Sequence, residues 1–167
     1  MMIHVYAGLK DYFLPEFELT EEPGNIDQLK ACLLAINGQA AKLLAAGHHP
    51  AAGAVVLFSG EVRENNRGCA VACLEYEAHM PLAEKMIGEI LGVAKAKWGL
   101  SVAIAQHRIG RVEIGETAVV VITASAHRSE AYEANRYIID RIKQEAPIWK
   151  CEHYQDGAKE WSNNNGA

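Results

Sequence analysis

A chain of 167 residues, half of them apolar, 22% charged and with a formal net charge of -5, is long enough for one domain with a sizeable core. The acidic balance excludes a global basic field suited to nucleic acid, so any anion site must come from local placement of lysine and arginine. No run approaches the roughly 20 apolar residues that span a bilayer, and the opening MMIHVYAGLKDYF lacks the basic, apolar and small-residue succession of a signal peptide; the expectation is a cytoplasmic protein with neither membrane nor nucleic acid as partner.

Residues 1–45 predict a β-β-α pattern. IHVYAGL is a β-rich apolar stretch, and EFELTEE alternates Phe17 and Leu19 with acids. Asn25 precedes a run with Ile26, Leu29, Leu33, Ile36, Ala40 and Leu43 at helical spacing. The segment holds three basic and six acidic residues and is too short for a full core, so it must lean on the rest of the chain or on a partner. Residues 46–53, small and interrupted by Pro50 and two glycines, read as a linker. The adjacent His48 and His49 are weak evidence for a metal.

From residue 54 to the end the pattern is more regular. AVVLFSGEVR (54–63) predicts a largely buried strand running into the polar loop ENNRG, and VACLEYEA (71–78) a second strand. A helix from Pro81, a favourable first-turn residue, runs to about Trp98, with Ala83, Met86, Ile87, Ile90, Leu91 and Ala94 in one stripe. SVAIAQHRIG is a third strand, GRVEIGE a turn, and the β-branched run TAVVVITASA a central strand. Ser129 to Ala146 is a second amphipathic helix, stopped by Pro147. IWKCEHY ends the set as a strand, with QDGAKEW as turn and tail. The order β-α-β-β-α-β predicts the α+β class, with one layer of sheet covered by helices.

Three constellations carry chemistry. In SAHRSE (125–130), His127 and Arg128 arrive where a helix begins, and helix amino ends suit phosphate; the alternative is a Ser129 cap with two solvated neighbours. GEVRENNRG presents Arg63 and Arg67 among amides, either an anion clamp or an ordinary hairpin loop. In IKQEAPIWKCE, Lys143 sits in a last helical turn that favours a cation in any case, while Lys150 leaves beside apolar walls, where an ammonium can serve as acid, base or nucleophile. The four cysteines, Cys32, Cys69, Cys73 and Cys151, are too irregular for a disulfide framework. Their spacing is not that of a zinc knuckle, and a metal would need distant ligands such as His79 or His153. Cys151 is more readily a core thiol than a nucleophile. The phosphate-loop, dinucleotide and nucleophile-elbow motifs are all lacking.

In this order and spacing, GAVVLFSGEVRENNRG, HRIGRVEIGETAVVVITASAHRSEAYEA and IKQEAPIWKCE resemble the large, catalytic subunit of molybdopterin synthase. The resemblance runs from about Gly53 to Trp161. It implies an α/β hammerhead fold for 54–167, a central homodimer, and a small ubiquitin-like sulfur-carrier subunit at each end, hence a heterotetramer. The carrier's Gly-Gly tail, as a thiocarboxylate, would enter the pocket, and two sulfurs, one per carrier, would pass to cyclic pyranopterin monophosphate. That is a sulfurtransferase reaction making molybdopterin for molybdenum cofactor biosynthesis, with no metal or cofactor in this subunit. Residue by residue, the substrate-contacting G-x-V-R segment is matched by Gly60 to Arg63, with Glu61 where relatives often carry lysine. A-H-R-S is matched by Ala126 to Ser129, which implies that His127 and Arg128 hold phosphate. Lys143 and Lys150 are the lysines of the K-x-x-A-P-x-W-K signature, implied as acid/base and as orienter of phosphate and tail, and Glu152 is the acid that follows. Lys159 is the candidate for a basic residue reaching across the dimer.

Residues 1–45 resemble the first half of the small carrier, a partial ubiquitin-like segment that stops before the remaining strands and the Gly-Gly tail. Such a segment has no carboxyl terminus to carry sulfur, so the resemblance implies a separate carrier and a vestigial or docking appendage. A non-catalytic carrier- or pterin-binding module of the same fold is the alternative.

Overall fold

The structure, a computed structural model, describes residues 2–7 and 43–163. The expected EFELTEE strand and the expected helix from Ile26 as far as residue 42 lie outside the described residues, while Leu43, the last position of its stripe, is helical and buried. Strand β1 (Met2–Ala7) pairs antiparallel with β5 (Val102–Arg108), and so forms one edge of the first sheet. With β7 (Thr117–Ser125) and β2 (Ala54–Glu61) that sheet has the order β1-β5-β7-β2, antiparallel throughout.

The continuous apolar run of β7 is explained by cover on both faces. Val119 and Val121, with Ala103 and Ala105 of β5, pack under the two helices. Val120, Ile122 and Ala124 face the other way, with Ile104 and Leu43. The expected linker 46–53 belongs to this second core: Ala46 and Ala52 pack against it, and Gly53 N donates to Ser125 O at 3.0 Å. A Cβ on Gly53 would strike the Ala126 carbonyl oxygen, so only glycine fits there.

Helix α1 (Met80–Trp98) begins with Pro81 in its first turn and ends at Gly99, whose φ of 59° closes it in left-handed form. His79, weighed above as a distant metal ligand, is its N-cap: its Nδ1 accepts from Leu82 N at 3.4 Å. Helix α2 (Arg128–Glu145) starts one residue before the expected Ser129, with His127 in the N-cap position in extended conformation and no side-chain cap bond. Ser129 is therefore inside the first turn, where its Oγ donates to Glu133 Oε1 at 3.1 Å. Asn135 ties this helix to the sheet beneath, donating to the carbonyls of Val121 and Val56 at 3.1 and 3.2 Å.

The α+β class is as expected, but there is a second sheet where one layer was expected. Its strands are β3 (Asn65–Asn66), β4 (Cys69–Ala78), β8 (Ile148–Tyr154) and β9 (Lys159–Asn163), in that order, with β6 (Gly110–Glu113) also paired to β4. Each unexpected strand lies in a stretch read as loop. ENNRG is a hairpin: Asn66 pairs with Cys69, and Arg67 and Gly68 between them have φ of 51° and 86°, the two positive values of a type I′ turn. GRVEIGE contains β6, bent away from the first sheet at Gly110 (φ 87°) and Gly115 (φ 79°). The tail contains β9, which pairs with β8. Among the described residues no helix is long and apolar enough to cross a membrane.

Candidate functional site

The two sheets meet at a cavity of about 370 Å³. Strand β2 delivers the first wall. A register shift between Gly60 and Glu61 bends the strand as it leaves β7, a bulge that re-aims the following side chains. Glu61 and Arg63 both face the cavity, and Val62 between them is buried in the core. Ser59 Oγ donates to Glu61 Oε1 at 3.5 Å.

Helix α2 and strand β8 form the second wall through one tight corner. The helix runs out at Glu145, Pro147 prevents its continuation, and β8 begins at Ile148. Lys143 in the last turn and Lys150 on the strand thereby reach the same cavity. Alternation along β8 sends Trp149 to the opposite, exposed face. Lys150 and Glu152, two apart, share the inner face, and Lys150 Nζ lies 2.6 Å from Glu152 Oε1.

Glu152 is 5% exposed, and a buried carboxylate must be paired and hydrogen-bonded. Its second oxygen, Oε2, accepts from Asn66 Nδ2 at 2.6 Å and from the Tyr154 hydroxyl at 2.9 Å. Burial pushes the carboxyl up, but the bonds from Lys150 and Tyr154, the Lys150 charge and the Asn66 bond outweigh it and hold the group below the usual carboxylate range. It is an anion that keeps a cation in place.

Strand β4 supplies the floor, with Leu74 and Tyr76. Burial, with the Glu152 charge adding to it, pushes the Tyr76 phenol up to about 12. The ring meets the buried His107 of β5 edge-on, with centroids 4.9 Å apart and planes at 74°. His107 Nδ1 lies 2.8 Å from the Arg108 carbonyl, so that nitrogen carries the proton. Burial pushes the imidazole down, the Arg108 carbonyl draws it up, and the Lys143 charge pushes it down again, leaving it at about 4. A neutral ring therefore backs the Lys143 side of the site. Among the described residues no carboxylate pairs with Lys143 or Arg63.

Five of the sequence candidates, Glu61, Arg63, Lys143, Lys150 and Glu152, thus come together in one cavity. Three do not. His127 and Arg128 are exposed at the amino end of α2, about 22 Å from Lys143 at 1.5 Å rise per residue. Lys159 is exposed and pairs opposite His153 on the outer face of the second sheet. Arg67 of the suggested clamp sits exposed on the hairpin turn. Cys73 and Cys151 are buried thiols of the core, and His153 Nε2 lies 3.0 Å from Glu75 Oε2. The residues that sequence reading missed are Asn66, Tyr76, His107 and Tyr154. For Asn66 the available signal was the Arg67-Gly68 pair as a two-residue turn. The others read simply as strand residues.

The sequence matches the MoaE protein family over residues 35–145. It is 39% identical over 148 residues to the molybdopterin synthase catalytic subunit of Staphylococcus carnosus, covering 89% of each chain. To the subunit of the same name from Staphylococcus aureus strain Mu50 it is 46% identical over 107 residues, 64% of this chain and 72% of that one. Among solved structures, it resembles molybdopterin synthase from Staphylococcus aureus with a TM-score of 0.70 and 40% identity, over 74% of this chain and 90% of that one. The MoaE protein of Burkholderia ambifaria resembles it with a TM-score of 0.57 and 27% identity, over 83% and 85% of the two chains.

Proposed function

Because the chain belongs to the MoaE family, we propose that it is the catalytic subunit of a molybdopterin synthase, moving two sulfurs to cyclic pyranopterin monophosphate, one from the thiocarboxylate tail of each of two separate small carriers, which leave as carboxylates. The observation that carries this reading is the meeting of Lys143, Lys150 and Arg63 in one cavity. An anionic tail and a cyclic phosphate both need fixed positive charge, and opening the phosphate ring while sulfur replaces oxygen needs protons delivered to the leaving oxygens. Lys150, held by Glu152, is the fixed charge that orients phosphate and tail. Lys143, with no carboxylate partner among the described residues, is the acid/base. Arg63 assists with phosphate, and Glu61 sets the polarity of the opposite wall.

His127 and Arg128 lie too far from Lys143 to serve the same cavity within one chain. If they bind phosphate, they do so in the cavity of a second copy, which fits the homodimer that the resemblance implies. Lys159, on the outer face, stays with the same role across that dimer. Of residues 1–45, β1 and Leu43 are built into the first sheet and its second core, and the segment is not the sulfur donor.

The test is single-turnover conversion of cyclic pyranopterin monophosphate by the purified chain, with and without a separately made thiocarboxylated carrier. Product only with carrier is the expected result, and Lys143→Ala should lower the rate at least a hundredfold while the carrier complex still assembles. Carrier binding without product from the unaltered chain would overturn the reading in favour of a docking module.

A further inference from the structure

The carboxylate of Glu152 makes three short contacts, and two of its partners come from residues to which the resemblance gives no role. We propose that Tyr154 and Asn66 are positioning residues: by bonding one oxygen of Glu152 they orient its other oxygen to hold the Lys150 ammonium on the cavity wall. The inference rests on the proposed function for its consequence in turnover, though not for the network itself.

The geometry is specific. Lys150, Glu152 and Tyr154 alternate along β8 and share one face. Glu152 therefore has a cation before it at 2.6 Å and a phenol behind it at 2.9 Å, one on each oxygen. Asn66 brings the third contact, 2.6 Å, from the other side of β4. It is carried there by a two-residue turn in which both Arg67 and Gly68 have positive φ, so the hairpin can present it in only one register. The Tyr154 hydroxyl also lies 3.3 Å from Glu160 Oε2. A phenol has a single proton, and the shorter contact, to the more buried carboxylate, holds it.

With its second oxygen undirected, a carboxylate is able to rotate and take Lys150 with it. Tyr154 does not line the cavity, so it acts only through Glu152. The titratable and charged groups facing Glu152 are Lys150 and Tyr154 on β8, Tyr76 on β4, Glu160 on β9 and Lys143 from α2, with Glu61 and Arg63 across the cavity. All but Tyr154 are unchanged in the variant that tests the idea.

That variant is Tyr154→Phe in the full chain, which keeps the ring and deletes the hydroxyl. Two readouts are needed, the carbon-13 titration of the Glu152 carboxyl and the pH profile of single-turnover rate with thiocarboxylated carrier. Loss of a hydrogen bond to an ionised group should raise the Glu152 titration by about one pH unit. The acid limb of the rate profile should move up with it, while the plateau rate falls several-fold. Adding Tyr154→Phe to a Glu152→Gln chain should change nothing further in rate, since the hydroxyl acts through that carboxylate. Asn66→Ala should move the carboxyl titration in the same direction. An unmoved carboxyl titration in a folded Tyr154→Phe chain, or a moved one with an unmoved acid limb, would overturn the proposal. A moved titration in a chain whose unaltered form makes no product with carrier bound would uphold the network and reject the function instead.

Discussion

His107 makes the stability of this chain depend on pH in a window that can be calculated. Its imidazole is held at about 4 when folded, against an ordinary value of 6.5. Between those values the unfolded chain binds a proton that the folded chain refuses, so the proton favours unfolding and stability falls as pH drops from 6.5 toward 4. The full difference amounts to about 3 kcal/mol at 1.36 kcal/mol per unit, and at pH 5 about 2 kcal/mol of it has been lost. The paired carboxylate Glu152, shifted below the usual range, contributes in the same direction but lower, beginning only as pH falls through the ordinary carboxylate range. The assay is urea denaturation of the full chain from pH 8 to pH 4.5, beside His107→Asn, whose amide can keep the donor to the Arg108 carbonyl. The variant will be less stable at pH 8 because the smaller side chain leaves a cavity under Tyr76. The informative quantity is the slope: the unaltered chain should lose about 2 kcal/mol more than His107→Asn between pH 8 and pH 5. Parallel profiles would refute the buried, neutral assignment of His107.

Two further substitutions probe the frame of the site. Lys150→Met should destabilise the chain by about 2–3 kcal/mol at pH 7, less than the full cost of breaking a buried pair, because the Lys150 side chain is 21% exposed and Glu152 keeps two donors. Urea denaturation measures it, and adding Glu152→Gln should recover part of the loss. Gly53→Ala should cost about 1–3 kcal/mol by thermal or urea unfolding, since the new methyl meets a backbone oxygen rather than a flexible side chain.

Periodicity made the long elements legible, because each buries one regular face. The stripe Ala83, Ile87, Ile90, Leu91 and Ala94 is buried as expected, and the unbroken apolar run of β7 marks a strand covered on both sides. What periodicity does not show is a strand of two to five residues whose partner is remote in sequence. Strand β3 is Asn65–Asn66, β6 is GRVE and β9 is KEWSN, and none buries enough apolar surface to alternate visibly. The same short strands make the second sheet, so one layer was expected where two exist. The site followed the same division. Lys143 and Lys150 were findable because the A-P-I-W-K signature surrounds them. Asn66 was not, because its contact to Glu152 spans 86 positions of sequence. Tyr76 and His107 read as strand residues, since only the β5 and β4 packing shows that their rings meet.

The seven-residue interval between the lysines has a structural cause. Lys143 lies in the last turn of α2 and Lys150 is the third residue of β8, so the corner at Ala146 and Pro147 converts a helical rotation into a strand alternation. Register decides which side chains arrive at the cavity. Pairing of Tyr76 with Lys150 and of Glu77 with Trp149 places ammonium and phenol on one face and indole and acid on the other. A slip of one residue would exchange the whole set, sending Lys150 and Glu152 outward and bringing Trp149 and Cys151 in. Glu152 opposes that slip as well as holding the lysine, because Asn66 and Tyr154 satisfy it only in the observed register. Moved outward, Glu152 would leave two donors without their acceptor in the cavity wall, and Trp149 would have to fill space now lined by charge. The network that holds one cation therefore also fixes the strand that carries it.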